Sequence, residues 1–182
     1  FVLGYGPYAH QSAGTSTAVG FDAFAGASNP AKLSEVGTRL DLGMLSFMPY
    51  RRITRTGSGT PFDIQSKSRN DFFLIPDGAY ARRIDDTWAW GVTLYGNGGL
   101  NTEYHDTTGI PGTNNNPERC GTRPGNFFGG CGEVGFDLLQ LVVAPTLSVR
   151  FAPGHSVGVS PLLAYQQIRF YGLQGFEALS PH

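Results

Sequence analysis

Residues 138–166 read "LLQLVVAPTLSVRFAPGHSVGVSPLLAYQ". From Leu139 the run alternates strictly. Leu139, Leu141, Val143, Pro145, Leu147, Val149 and Phe151 share one face, and Gln140, Val142, Ala144, Thr146, Ser148 and Arg150 share the other. One face is wholly apolar. Ala152-Pro153-Gly154-His155 has the chemistry of a tight turn. Alternation then resumes, with Val157, Val159, Pro161, Leu163 and Tyr165 set against Gly158, Ser160, Leu162, Ala164 and Gln166. The pattern predicts a hairpin whose strands exceed ten residues, whereas strands of soluble sheets run to about 5–6. Pro145 and Pro161 each remove a ladder donor, and a bulge at each would accommodate them.

Working outward, Trp88, Trp90, Val92 and Leu94 alternate with Ala89, Gly91, Thr93 and Tyr95, and Ile84-Asp85-Asp86-Thr87 joins them to a preceding strand over residues 72–83. A first strand over residues 39–53 alternates less cleanly and contains Pro49. That makes five strands. The third dissolves at Gly96-Asn97-Gly98-Gly99 into neither a helix nor a plain turn. Short connections alternate with long polar ones over residues 54–69 and 96–137, so the two kinds lie at opposite ends of an up-and-down sheet. Outer-membrane barrels have this asymmetry, with the apolar strand face outward and the small or polar face inward. Residues 1–35 are small and irregular, with one short helix expected over residues 29–34.

Composition agrees with strands and turns. The 182 residues include 26 Gly and 12 Pro, and only 15% are charged, against about 25% in ordinary soluble domains. A net charge of −1 provides no field for nucleic acid, which is set aside as a partner. The richest apolar run, residues 138–145, is interrupted by Gln140 and excludes a spanning helix, though not a spanning strand.

Three stretches, "ASNPAKL" (27–33), "YARRIDDTWAWGVTLYGNGGLNTEY" (80–104) and "LLQLVVAPTLSVRFAPGHSVGVSPLLAYQQIRFYG" (138–172), together resemble, in that order, the FadL-type outer-membrane transporters of long-chain fatty acids and related hydrophobic compounds. The resemblance implies an all-β fold, an antiparallel up-and-down transmembrane β-barrel of fourteen strands, of which about five are present. It also implies an irregular, partly helical hatch over residues 1–36, with the barrel wall over residues 37–182. In such a barrel the third strand kinks inward and leaves a lateral opening, which Gly96, Asn97, Gly98 and Gly99 would form, gated by the hatch around Asn29, Pro30 and Ala31. Glycine suits that place because it tolerates backbone that breaks a ladder. Five strands cannot close a barrel, so the chain is expected to be part of a longer protein. The implied ligand is a hydrophobic small molecule, a fatty acid first and an aromatic hydrocarbon second. The setting is the lipid of the bacterial outer membrane, with a monomeric full-length protein.

Other residues divide between function and plain structure. Cys120 and Cys131 lack metal-ligand spacing, and a zinc site would need His105 and a further ligand, so a loop-closing disulfide is expected and no metal or other cofactor. Gly130–Gly135, "GCGEVG", fits a dinucleotide pattern but lacks the strand before and helix after it. Trp88 and Trp90 suit an interfacial aromatic girdle. Arg51, Arg52, Arg82 and Arg83 suit solvated or headgroup-facing strand ends, and Arg150 faces inward, where Asp22 or Glu35 could pair with it. Phe127 and Phe128 either greet a ligand at the loop surface or pack beneath their own loop. No nucleophile elbow or zincin motif occurs, so no catalytic residue is expected. Two rivals remain: a barrel enzyme, which needs a Ser/His/acid set on the wall, and a soluble structural β-protein, which needs a second sheet over the apolar faces.

Overall fold

The alternation of the sequence becomes an alternation of exposure. The structure, a computed structural model, describes residues 4–57, 59, 63–105, 120–126 and 128–179. Its strands are β1 (Arg39–Phe47), β2 (Arg52–Arg55), β3 (Ile64–Lys67), β4 (Phe73–Arg83), β5 (Trp88–Tyr104), β6 (Val134–Ala152), β7 (His155–Val159) and β8 (Leu163–Tyr171). One sheet has the order β1-β4-β5-β6-β7, with β8 also on β6, and β2 and β3 form a separate two-stranded sheet. The larger sheet is antiparallel and does not close.

The chain divides into two units, the first comprising Phe1–Ser46, Leu74–Gly99 and Leu139–Gln166. On its strands the apolar residues face out. Leu141 is 38% exposed, Val159 61% and Leu163 62%, while Val142, Ala144 and Ser148 between them on the opposite face are at most 3% exposed. Among the described residues no second layer covers Leu141, Val159 or Leu163, so they do not sit in a dry sandwich interior. The inner face is small because something packs on it. Ala79 and Ala81 of β4 pack with Phe24 and Leu33, and Val142 and Ala144 of β6 with Tyr5 and Ala27. Gly91 completes the fit: a Cβ there would stand 2.6 Å from Tyr80 O and 3.1 Å from Leu33 Cδ2.

The packing segment contains α1 (Gly6–Gln11), α2 (Ala25–Ser28), a 3-10 turn at Pro30–Lys32 and α3 (Leu33–Val36). Asn29 caps the turn, its Oδ1 accepting from Ala31 N at 3.2 Å, and Gly37 at φ +80° ends α3. One helix was expected over residues 29–34; the others are too short to display a period in sequence.

The expected final strand is interrupted. β7 stops at Val159 and β8 starts at Leu163, so Pro161 lies in the gap and deletes no ladder bond. β6 passes Pro145 unbroken, and side chains bridge the gap: Thr146 Oγ1 donates to Ser160 Oγ at 2.9 Å, and Ser160 Oγ donates to Pro145 O at 3.1 Å. Trp88 and Trp90 lie on the outward face at 42% and 38% exposure, with Trp90 edge-on to Tyr80.

The second unit comprises Phe47–Phe73, Leu100–Leu138 and Gln167–His182. Strand structure reaches into both stretches read as long connections. Most of the antiparallel β2–β3 pair, registered from Arg52↔Lys67 to Arg55↔Ile64, lies in the stretch 54–69, and β5 runs to Tyr104 and β6 starts at Val134 within the stretch 96–137. Arg51 donates to Asn70 O at 2.6 Å and lies over the Phe73 ring. Asn126 is fully buried and organises the loop, donating to Gly132 O and Gly172 O and accepting from the Phe128 and Gly130 amides. Cys120 and Cys131 are joined in a disulfide.

Candidate functional site

Strands β4 and β5 pair over only part of their length. Their ladder runs from Arg83↔Ala89 to Gly78↔Leu94 and stops, although β4 begins five residues earlier at Phe73 and β5 continues through Gly96-Asn97-Gly98-Gly99 to Tyr104. The glycine stretch is therefore strand in conformation but parted from β4, while β5 keeps β6 as its other neighbour. At the parting, Pro76 has no N–H for a ladder, and Ile75 Cγ2 fills the space that a Cβ at Gly96 would need, 2.8 Å away.

A residue of the N-terminal segment covers the parted edge. The Tyr5 ring lies 3.8 Å, centroid to centroid, from the Tyr95 ring, and its hydroxyl donates to Asn97 Oδ1. Burial pushes the Tyr5 hydroxyl above its ordinary pKa. Asn97 Nδ2 passes the chain on to Gln140 Oε1 at 2.9 Å, and Gln140 Nε2 to Gln166 Oε1 at 3.0 Å. A polar row thus crosses the inner face of β5, β6 and β8. Beside it, Gly6 N donates to Asp77 Oδ2 at 3.1 Å. Tyr5, His10, Asp77, Tyr95 and Gly96 line a cavity of about 10 Å³, room for roughly one water. His10 Nε2 and Asp77 Oδ1 are both buried without a hydrogen-bond partner.

Elsewhere the segment is tied to the wall through its backbone. Asp41 of β1 accepts from Ala23 N at 2.7 Å and pairs with Arg39, which donates to Phe21 O at 2.8 Å. Asn29-Pro30-Ala31 sits on β6 and β7. Ser148 Oγ donates to Ala31 O at 2.9 Å, and the Cβ position of Gly158 is filled by the Pro30 carbonyl carbon and Ala31 N. The contacts of Pro30 and Ala31 are thus with β6 and β7, and those at the parted edge are made by Tyr5. Arg150 donates to Ser34 O at 3.2 Å and not to the expected carboxylates: Glu35 pairs with Lys32, and Asp22 lies near Asp41 and Arg39. Burial, and then the Asp41 charge, raise the Asp22 carboxyl, against the lowering effect of the Tyr8 and Phe24 amides.

Of the remaining candidates, Phe128 is 37% exposed with its ring 6.3 Å from that of Phe176, and Phe127 lies outside the described residues. Gly130–Gly135 runs from the loop into β6 with no helix after it. Sequence reasoning missed Tyr5, Asp77 and Gln140. Only inward phase marked Gln140, and nothing periodic marks Asp77 or an aromatic residue in a glycine-rich lead.

No protein family and no curated protein matches the sequence significantly. Among solved structures the chain is similar to the toluene transporter TodX of P. putida, with a TM-score of 0.69 and 23% identity over 92% of this chain. The chain spans 37% of that protein's length. The likeness shows the fold: antiparallel strands matching part of a FadL-like barrel, with the sheet left open.

Proposed function

We propose that this chain forms part of a channel of the bacterial outer membrane for passive uptake of hydrophobic small molecules. Ligand enters sideways between β4 and β5, where the ladder ends at Gly78↔Leu94, and residues 1–36 act as a hatch. The observation carrying the reading is that the β4–β5 ladder ends just before Gly96-Asn97-Gly98-Gly99 and that Tyr5 covers the parted edge. Backbone left unpaired in hydrocarbon is tolerated only where it lines a protected or wet cavity, and the Asn97–Gln140–Gln166 row gives the inner side that character. Ligand binding displaces Tyr5 from Tyr95 and Asn97, and the ligand gradient drives passage. Desolvation of the apolar cargo supplies affinity, with no covalent step.

Long-chain fatty acids are the first ligand class, on the sequence resemblance, and aromatic hydrocarbons the second, because the neighbour in fold is described as a toluene transporter. Competition between labelled oleate and toluene in outer-membrane vesicles separates the two. The gate itself is tested by replacing Gly98 and Gly99 with Val: uptake falls while membrane assembly persists. Unchanged uptake would rule out the gate.

A further inference from the structure

Glu103 and His105 are two residues apart at the end of β5, a spacing that puts both on one face of an extended chain. Glu133 immediately precedes β6, 28 positions after His105 in sequence. The antiparallel neighbours β5 and β6 erase that separation. A Cβ at Gly135 would stand 2.5 Å from Thr102 O and 3.6 Å from Glu103 Cα, so the start of β6 lies directly against the end of β5. His105 Nε2 is then 3.1 Å from Glu103 Oε1, and His105 Nδ1 contacts Glu133 Oε1. One ligand atom from each of the three residues falls within 4.8 Å of the others.

The surroundings hold the first of these carboxylates in place. Glu103 Oε2 is held by Asn70 Nδ2 at 3.2 Å, and Asn70 is itself fixed by Asn101 at 2.5 Å, so the first carboxylate is oriented from behind. A neutral imidazole has one N–H, yet both nitrogens of His105 face carboxylates. Either a doubly protonated ring or an ion set among the three side chains balances the two carboxylates. Glu103 and Glu133 also line a cavity of about 730 Å³, and their side chains are 37% and 43% exposed, which gives an ion a way in.

We propose that Glu103, His105 and Glu133 bind one first-row divalent ion of the zinc type, which ties the end of β5 to the start of β6. One imidazole nitrogen and two carboxylate oxygens suit zinc better than the all-oxygen shells of calcium or magnesium, and three protein ligands leave a position for water. His105 turns one nitrogen to the ion. The Cys120–Cys131 disulfide, two residues before Glu133, restrains the same arm covalently.

The test uses tag-free protein purified in detergent and stripped with EDTA. Zinc is titrated calorimetrically, and cobalt is followed by its visible absorption. One ion binds per chain. His105→Ala, Glu103→Gln and Glu133→Gln each weaken binding at least about tenfold, and Asn70→Ala weakens it about tenfold, in the range expected of an outer-shell partner. His155→Ala leaves it unchanged. The glutamine variants keep the loop's hydrogen-bonding shape, so their loss of binding cannot be ascribed to misfolding when far-UV circular dichroism is unaltered. Absence of saturable zinc binding, or binding that survives both His105→Ala and Glu133→Gln, overturns the site and leaves His105 as an ion-pair partner of the two glutamates.

Discussion

The Tyr5 hydroxyl donates to Asn97 Oδ1 across 92 positions of sequence, fixing the N-terminal segment to the first stretch of β5 that has left β4. The bond and the ring contact with Tyr95 act on one side chain, and substitution can separate them.

Tyr5→Phe removes the bond alone, a change of about 1 kcal/mol or roughly fivefold in the closed-to-open ratio. Tyr5→Ala removes the ring as well. Uptake of a fluorescent fatty acid into vesicles is expected to rise modestly in the first variant and further in the second. Equal rates in wild type and Tyr5→Ala would show that Tyr5 closes nothing.

Gly158 meets the Pro30–Ala31 backbone, which cannot yield as a flexible side chain would. Gly158→Ala is therefore expected to loosen residues 29–31 at a cost of about 1–3 kcal/mol. Ser148→Ala, losing one bond to Ala31 O, costs about 1 kcal/mol. Limited proteolysis of the N-terminal segment reads both, and Gly158→Ala should be cleaved faster than Ser148→Ala.

Most of the wall was legible from residues 139–151 and 157–165, because a period of two leaves no freedom about which side chains share a face. The break at Ser160-Pro161-Leu162 was legible only as a difficulty, since proline says that a ladder bond is missing and not how the chain adapts. Pairing was not legible. Gly96 to Gly99 marked a disturbance, but β5 stays extended through it, and what changes is the neighbour. The contacts of Tyr5 and of the Glu103–His105–Glu133 group bring together side chains from separate segments. No local pattern encodes such meetings.

Asp22 gives a pH dependence. Its carboxyl is raised in the folded state, so as pH rises from its ordinary value of 3.8 through the raised value, the folded state loses stability relative to the unfolded. Well below pH 3.8 both states are protonated and the effect vanishes. Asp22→Asn keeps an oxygen for the Phe24 amide and removes the charge. Its thermal midpoint in detergent is expected to exceed that of wild type at pH 7 and to converge with it below pH 3.8. A midpoint below wild type at pH 7 contradicts the assignment.

Leu141→Arg places a charge on the outward face and is expected to destabilise the membrane-inserted protein by about 2–4 kcal/mol if Leu141 lies near the bilayer midplane. Gln140→Arg, on the opposite face, should cost less. Urea unfolding in lipid vesicles compares the two.

Nitroxide labels at Leu141, Val159 and Leu163, compared with one at Ser148, measure directly whether the apolar strand faces meet acyl chains. In lipid vesicles the first three should be relaxed by oxygen and shielded from a water-soluble nickel complex, and the Ser148 label should be shielded from both beneath the N-terminal segment. Nickel access at Leu141, Val159 and Leu163, or shielding of all three from oxygen as well, would contradict a lipid-facing wall and with it the lateral gate.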